Sequence, residues 1–442
     1  MTEKAETENH YTATESTIKK EEQRGSLLFR RALRSRNYRL FVAGQGVSLI
    51  GTWMQQVAMS WLIYRMTGSA MLLGVIGFTS QIPSFVLAPV AGVLADRWEK
   101  RRLLLATQAL ALTQAALLSV IVLTGVVQIW HILLLSLFLG IVNAFDIPIR
   151  QSFVVQMVDS REDLSNAIAL NSSMVHAARL IGPTIAGLLV ASVGEGICFA
   201  INSASYVAVI AALAAMRLAP YHPRLQNQRV LQEFREGVKY AFGFEPIRSI
   251  LLILALVSLM GMPYAVLIPI FAREVLHGSS HTYGFLMAAS GCGAFIGAFY
   301  LASRRNVVGL GMVIVRAAVF FGIGIAVFAL STRFTLSMAS LVLAGFGAMT
   351  LVASCNTILQ TISEEDKRGR VMSFFTMSFI GMTPFGSLIA GSLAGSIGAK
   401  GTLLIGAVCC SAGGVFFFTQ LPQLRRIVRP IYIDKGIIHE ES

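Results

Sequence analysis

His176 and Arg179 stand one helical turn apart inside a long apolar run, and Asn171 lies earlier in the same run. In such surroundings a guanidinium needs compensation from a partner, a polar cavity or a bound anion. An imidazole there could carry a proton, although a hydrogen-bonded core histidine explains it as well. Gln45, Gln55, Gln56 and Asn143 add amides to other apolar runs, where cavity lining and packing between helices both fit. Asp146 is the one acid in its run. A charged loop separates two runs and reads Gly92-Val-Leu-Ala-Asp96-Arg97-Trp98-Glu99-Lys100-Arg101-Arg102. Its parts suit a latch. Glycine lets helices approach closely, and a carboxylate docks at the positive N-terminus of another helix, here near Val371. The arginines then pair with an acid, for which Asp146 is the candidate.

Other chemistry is not supported. The sequence holds no metal-ligand cluster, no GxSxG elbow, no phosphate-binding loop and no carboxylate pair placed for hydrolysis. Neither an enzyme nor a cofactor is expected, and energy would come from an ion gradient rather than nucleotide hydrolysis. Cys198, Cys292, Cys355, Cys409 and Cys410 lie in apolar stretches without CxxC spacing and read as small buried hydrophobes.

The elements that position these residues follow from composition. The chain of 442 residues is 55% hydrophobic and 13% charged, where an ordinary soluble domain carries about 25% charged residues. A bilayer resolves the excess, since it offers an apolar solvent to most helix faces. The net charge of +13 sits in short clusters between apolar runs, which points to a membrane rather than nucleic acid. Bilayer-length runs fall near 38–64, 70–94, 102–124, 130–149, 164–190 and 196–216. A second set falls near 249–272, 282–302, 308–330, 335–354, 371–396 and 401–421. The predicted fold is all-α and polytopic, with twelve transmembrane helices in two six-helix halves.

Basic residues orient it. With both termini in the cytoplasm, the inner loops hold most of the Arg and Lys, and the outer loops hold only Arg65, Arg273, Arg333 and Lys400. Residues 1–36 read as a disordered cytoplasmic tail with no cleavable signal peptide, 37–216 as the first half and 249–422 as the second. Residues 423–442 form a second cytoplasmic tail. The 217–248 linker carries Val230, Phe234, Val238 and Ala241 at helical spacing, an interfacial amphipathic helix strapping the halves.

The halves repeat each other. A shift of 204 places Gly182, Ala186, Gly187, Ser192 and Gly194 on Gly386, Ala390, Gly391, Ser396 and Gly398. A shift of 210 places Gly51, Gly68, Ser69 and Gly74 on Gly261, Gly278, Ser279 and Gly284. Duplicated halves rocking about a site at mid-depth are a common transporter design.

The charged loop resembles the signature between helices 2 and 3 of the major facilitator superfamily, G-x-x-x-D-R-x-G-x-R-R. Gly92, Asp96, Arg97, Arg101 and Arg102 match, while Glu99 stands where glycine is usual. In the second half Ala302 and Asn306 take the places of Gly92 and Asp96, so the latch is asymmetric. Gly182-Pro183 and Gly187 are similar to the G-P-x-x-G-G signature of the superfamily's exporters on helix 5, although a packing kink unrelated to direction explains them equally. Ser136 stands where drug antiporters carry an arginine on helix 4. The segment Asn143-Ala-Phe-Asp146-Ile-Pro148-Ile-Arg150-Gln151, with Asp163-Leu-Ser-Asn166, resembles the branch holding enterobactin exporters and macrolide efflux proteins. The resemblance runs from Asn37 to Leu421. It implies export of a small molecule by alternating access, with protons as the coupling ion and a bacterial inner membrane as the location. Gln45, Asn143, Asn171, His176 and Arg179 are the expected cavity residues. The alternatives are an importer on the same fold or a non-transporting receptor.

Overall fold

The computed structural model describes residues 32–158, 163–218, 230–304, 306–365 and 367–438. Within them the side chains of residues 88–97, 165 and 230–236 lie outside the description. After a short turn at Ala32–Arg34 the helices of the first half are α1 (Arg36–Thr67), α2 (Ala70–Arg97), α3 (Lys100–Leu123), α4 (Ile129–Met157), α5 (Leu164–Val193) and α6 (Glu195–Ala215). The linker contributes α7 (Val230–Gly243). The second half has α8 (Glu245–Leu256), α9 (Tyr264–Ile270), α10 (Ser280–Ala302), α11 (Leu310–Leu330), α12 (Phe334–Ile362), α13 (Arg368–Phe379) and α14 (Thr383–Asp434).

Ten stretches of the described residues are long and apolar enough to cross a bilayer. Two more crossings complete the predicted twelve. One is α1, whose amides and glycines lower its hydropathy. The other comes from dividing α14 at Gly398, where the backbone leaves the helical region at φ 79° and ψ 160°. Gly194, its repeat-equivalent, adopts φ 84° and ψ 171° between α5 and α6. A side chain would be strained in this conformation, so glycine makes the same sharp reversal in both halves.

Large apolar side chains cover the outside. Phe299 is 71% exposed, Val408 67% and Phe416 64%, a surface that suits lipid rather than water. Several helices outrun their apolar runs. The sequence places span ends at 149 and 354, yet α4 continues to Met157 and α12 to Ile362. Each has 29 residues, about 44 Å at 1.5 Å per residue, so both extend past a ~30 Å hydrocarbon core. An apolar run marks where the bilayer stops, not where the helix stops.

The linker helix packs on α8 and α13. Ala241 is buried, and Gly237 lies against Arg370 and Phe374. The Lys367 ammonium sits 4.7 Å from the centroid of the Tyr240 ring. Past α14's last crossing, Leu424 and Val428 are buried while Arg425 and Arg426 are exposed. Lys435 donates to the carbonyls of Thr361 and Ser363 at the C-terminal end of α12, where a cation meets unsatisfied carbonyls. These contacts define the linker end of the molecule. The turns at Gly68, Gly194, His277 and Gly398 define the far end.

Candidate functional site

The polar seam lies between α1 and α5. A Cβ on Gly182 would stand 2.6 Å from the Trp53 Cβ and 3.0 Å from the Ile50 carbonyl oxygen, so this glycine sets α5 directly on α1. Arg179, one turn earlier, then extends over the Trp53 indole, its guanidinium carbon 5.6 Å from the ring centroid. Such cation–π contacts contribute about 0.5–2 kcal/mol, more as water is excluded. The sequence offers Arg179 no acid at its own depth on another span; an aromatic face on α1 takes the place of one.

The same two helices carry polar atoms without partners. The Gln45 Oε1, Asn171 Oδ1 and His176 Nδ1 atoms are buried and find no hydrogen bond among the described residues. An unpaired buried acceptor costs about 1–3 kcal/mol, which favours a site that a ligand or water completes. Asn143 is half-buried on α4, a helix making little contact with α5, so it stands apart from the other four. Gln55 does not face this seam. It donates to Gln114 Oε1 at 3.0 Å and accepts from Asn202 at 2.7 Å, a network tying α1 to α3 and α6. Gln56 is exposed.

The second half answers this seam with broken helices rather than charge. Its first crossing contains π-type turns at Val257–Gly261 and Phe271–Val275. The crossing built from α13 and the start of α14 is interrupted at residues 380–382. The Ser258 hydroxyl joins the two irregularities, donating to the Phe379 carbonyl and lying 3.1 Å from Thr383 Oγ1. Tyr264 and Ser290 hydroxyls bond to each other, and the Thr350 and Ser354 hydroxyls on α12 are buried without partners among the described residues. Discontinuous helices at mid-depth expose backbone groups for ligands. Sequence reasoning missed them, although Gly381 followed by Pro384 signals one helix ending and another beginning.

The loop residues divide. The side chains of Gly92, Asp96 and Arg97 lie outside the described part. Arg102 pairs with Glu99 at 2.6 Å, and Arg101 donates to the Ala214 carbonyl at 2.7 Å. Asp146 is buried, but among the described residues its partners are other than the expected Arg101 and Arg102. Thr107 and Gln108 on α3 donate to its Oδ1 at 2.9 and 2.7 Å, and Arg150 to its Oδ2 at 3.2 Å. The i to i+4 spacing on α4 puts an arginine within reach, a partner nearer than any on the loop.

Glycine seams join the halves. A Cβ on Gly187 would meet the Gly284 Cα at 2.9 Å, and one on Gly74 would meet the Gly391 Cα at 2.8 Å. Aromatic pairs flank these seams, with Trp61 stacked on Tyr283 and Phe85 edge-on to Phe385.

Two duplicated six-helix halves, closed on each other through small residues with a polar seam at mid-depth, define a transporter of the major facilitator fold. The chain matches the family described as transmembrane secretion effector over residues 31–428, and it belongs to that family, a branch of the major facilitator superfamily. It is 24% identical to the staphyloferrin A transporter of Staphylococcus aureus over 86% of this chain and 95% of the relative. It is 22% identical to the multidrug efflux pump Tap of Mycolicibacterium fortuitum, over 87% and 94%. It is also 22% identical to macrolide efflux protein A of Streptococcus pyogenes, over 82% and 92%. Among solved structures, a bacterial homologue of the human lysosomal transporter Spinster superposes with a TM-score of 0.69 at 14% identity, covering 89% of this chain and 98% of that one. A POT family transporter in complex with 5-aminolevulinic acid gives 0.71 at 10% identity, covering 88% and 97%. The protein is an efflux transporter of this superfamily.

Proposed function

We propose that the protein is a secondary-active exporter that moves an amphipathic or anionic small molecule out of the bacterial cytoplasm across the inner membrane, in exchange for protons. In this reading both termini and the linker lie in the cytoplasm, which the distribution of basic residues supports. The observation that carries the reading is Arg179 at mid-helix over Trp53, on the same two helices as the unpartnered polar atoms of Gln45, Asn171 and His176. A cation at that depth, held by an aromatic face and no described acid, suits an anionic or acceptor-rich cargo. The named relatives are a staphyloferrin A transporter, a multidrug efflux pump and a macrolide efflux protein, which supports a small organic cargo.

Gly92, Asp96, Arg97, Arg101 and Arg102 form the latch on the cytoplasmic side in this reading, and Asp146 braces it from within the first half. Gly182, Pro183 and Gly187 seat α5 against α1 and α10 as the halves move. Two linked measurements test the function. Metabolite profiling of medium from deletion and wild-type cells should show one organic anion depleted outside the deletion strain. Everted vesicles should then accumulate that compound only while a proton gradient is imposed. Accumulation insensitive to collapse of the gradient would remove the proton coupling, and uptake in the opposite sense would make the protein an importer.

A further inference from the structure

Tyr64 near the end of α1 and Glu274 in the π-type turn Phe271–Val275 are separated by 210 residues, the offset that relates the two halves. They are repeat-equivalent positions, and they touch: the Tyr64 hydroxyl donates to the Glu274 carboxylate. A residue reaches its own equivalent only beside the axis relating the two halves, as in any self-complementary contact. The pair therefore marks that axis at the far end of the molecule. Identical residues would serve badly there, since two carboxylates would repel. Divergence into a donor and an acceptor is what a contact on the axis needs.

The surroundings make the pair a closure. Tyr64 is 2% exposed, whereas Glu274 is exposed, so the contact caps the buried side from outside. The Arg273 guanidinium lies 5.9 Å from the Tyr64 ring centroid, a second grip from the same turn. One helical turn deeper, Trp61 stacks on Tyr283 at 6.2 Å. The next residue, Arg65, is held by both oxygens of Glu195 at 2.8 and 3.1 Å. That pair lies wholly within the first half, so the end of α1 moves with its own half. On either side the halves meet through glycine backbone, at Gly187–Gly284 and Gly74–Gly391. Such seams pack closely but carry few directional bonds. Rocking about mid-depth displaces the ends most, so the contact on the axis must break, together with the long bond that the Ser280 hydroxyl donates to the Gly187 carbonyl at 3.3 Å.

We propose that Tyr64 and Glu274 are the gate holding the far end shut, and that rupture of their hydrogen bond limits entry into the state open at that end. The direction assigned to that state, outward, rests on the exporter reading. The contact and its rupture do not. Spin labels at Gln128 and Arg333, which stand on opposite halves at the far end, report the opening as a distance in nanodiscs without cargo. In Tyr64→Phe the ratio of open to closed distances should rise about tenfold or more, the effect of losing one hydrogen bond to a charged group. Glu274→Gln keeps an acceptor without its charge and should give a smaller rise. The double variant should open no further than Tyr64→Phe alone, because the two residues act through one contact. An unchanged distance distribution in either single variant, or additive opening in the double, would overturn the gate. Where Tyr64→Phe is lost in expression, Glu274→Gln at its exposed position decides the matter with Glu274→Ala, which should match the larger rise. Opening that responds as stated in a protein that exports nothing would leave the gate standing and remove the exporter reading.

Discussion

Gly187 on α5 and Gly284 on α10 meet backbone to backbone, and the repeat maps this pair onto Gly391 and Gly74, which meet in the same way. An alanine in an open helix stabilises relative to glycine by about 0.5–1 kcal/mol. At Gly187 the added carbon would lie 2.9 Å from the Ser280 carbonyl oxygen as well as from the Gly284 Cα, so a whole helix must yield. Gly187→Ala should lower the thermal unfolding midpoint and reduce export, and Gly187→Val should do so more severely, with overpacking worth about 1–3 kcal/mol. Gly395 has open space where its Cβ would stand, so Gly395→Ala is the matched control and should be neutral or stabilising. Equal midpoints for the two alanine variants would contradict the seam.

Gly187, Gly284, Gly74 and Gly391 are legible as repeat positions in the sequence, because a close crossing leaves a small residue at each equivalent site. Span number is legible for a similar reason, since the bilayer imposes its thickness on the apolar runs. Partner choice is not. Asp146 reads in the sequence as serving the loop arginines, and only the structure shows Arg150, Thr107 and Gln108 on it. Trp53 carries no mark of facing Arg179, because 126 positions separate them in the chain. The π-type turns leave no apolar signature at all: an extra residue in a turn changes phase, not hydropathy.

Asp146 and Arg150 form a pair whose side chains are 7% and 17% exposed. Removing one member of a buried pair costs about 3–5 kcal/mol, and partial solvent access to Arg150 places this site at the low end. Arg150→Gln should reduce the unfolding midpoint by several degrees and lower membrane yield. Asp146→Asn should do less, since Thr107 and Gln108 still find an acceptor. The double variant should lose less than the sum of the two. Strict additivity would show that the carboxylate and guanidinium do not depend on each other.

Single cysteines at Gln128, Lys400 and Lys239 test the orientation in a background lacking native cysteines. All three positions are exposed, the first two at the far end and the third on the linker helix. An impermeant maleimide added to intact cells should label Gln128→Cys and Lys400→Cys fully. It should leave Lys239→Cys unlabelled until the membrane is opened. Labelling of Lys239→Cys in sealed cells would invert the topology, and the proposed direction of transport with it.

Arg179 separates a cargo contact from a structural prop. If Trp53 alone accounts for the arginine, Trp53→Ala should destabilise the fold about as much as Arg179→Gln, and ligand affinity should be unaffected by either in the protein that remains folded. If the guanidinium also reads an anionic cargo, Arg179→Lys keeps the charge but loses the two-pronged donor geometry, while Arg179→Gln loses both. Affinity should then fall in both, by roughly 10- to 150-fold in Arg179→Gln, as for loss of a hydrogen bond to a charged group. Asn171→Ala and His176→Ala, which remove unpartnered polar groups on the same helix, should weaken binding without loss of stability. The decisive comparison is binding and unfolding midpoint on the same preparations, with the compound identified by metabolite profiling. Wild-type affinity in a well-folded Arg179→Gln protein would confine Arg179 to holding α5 against α1.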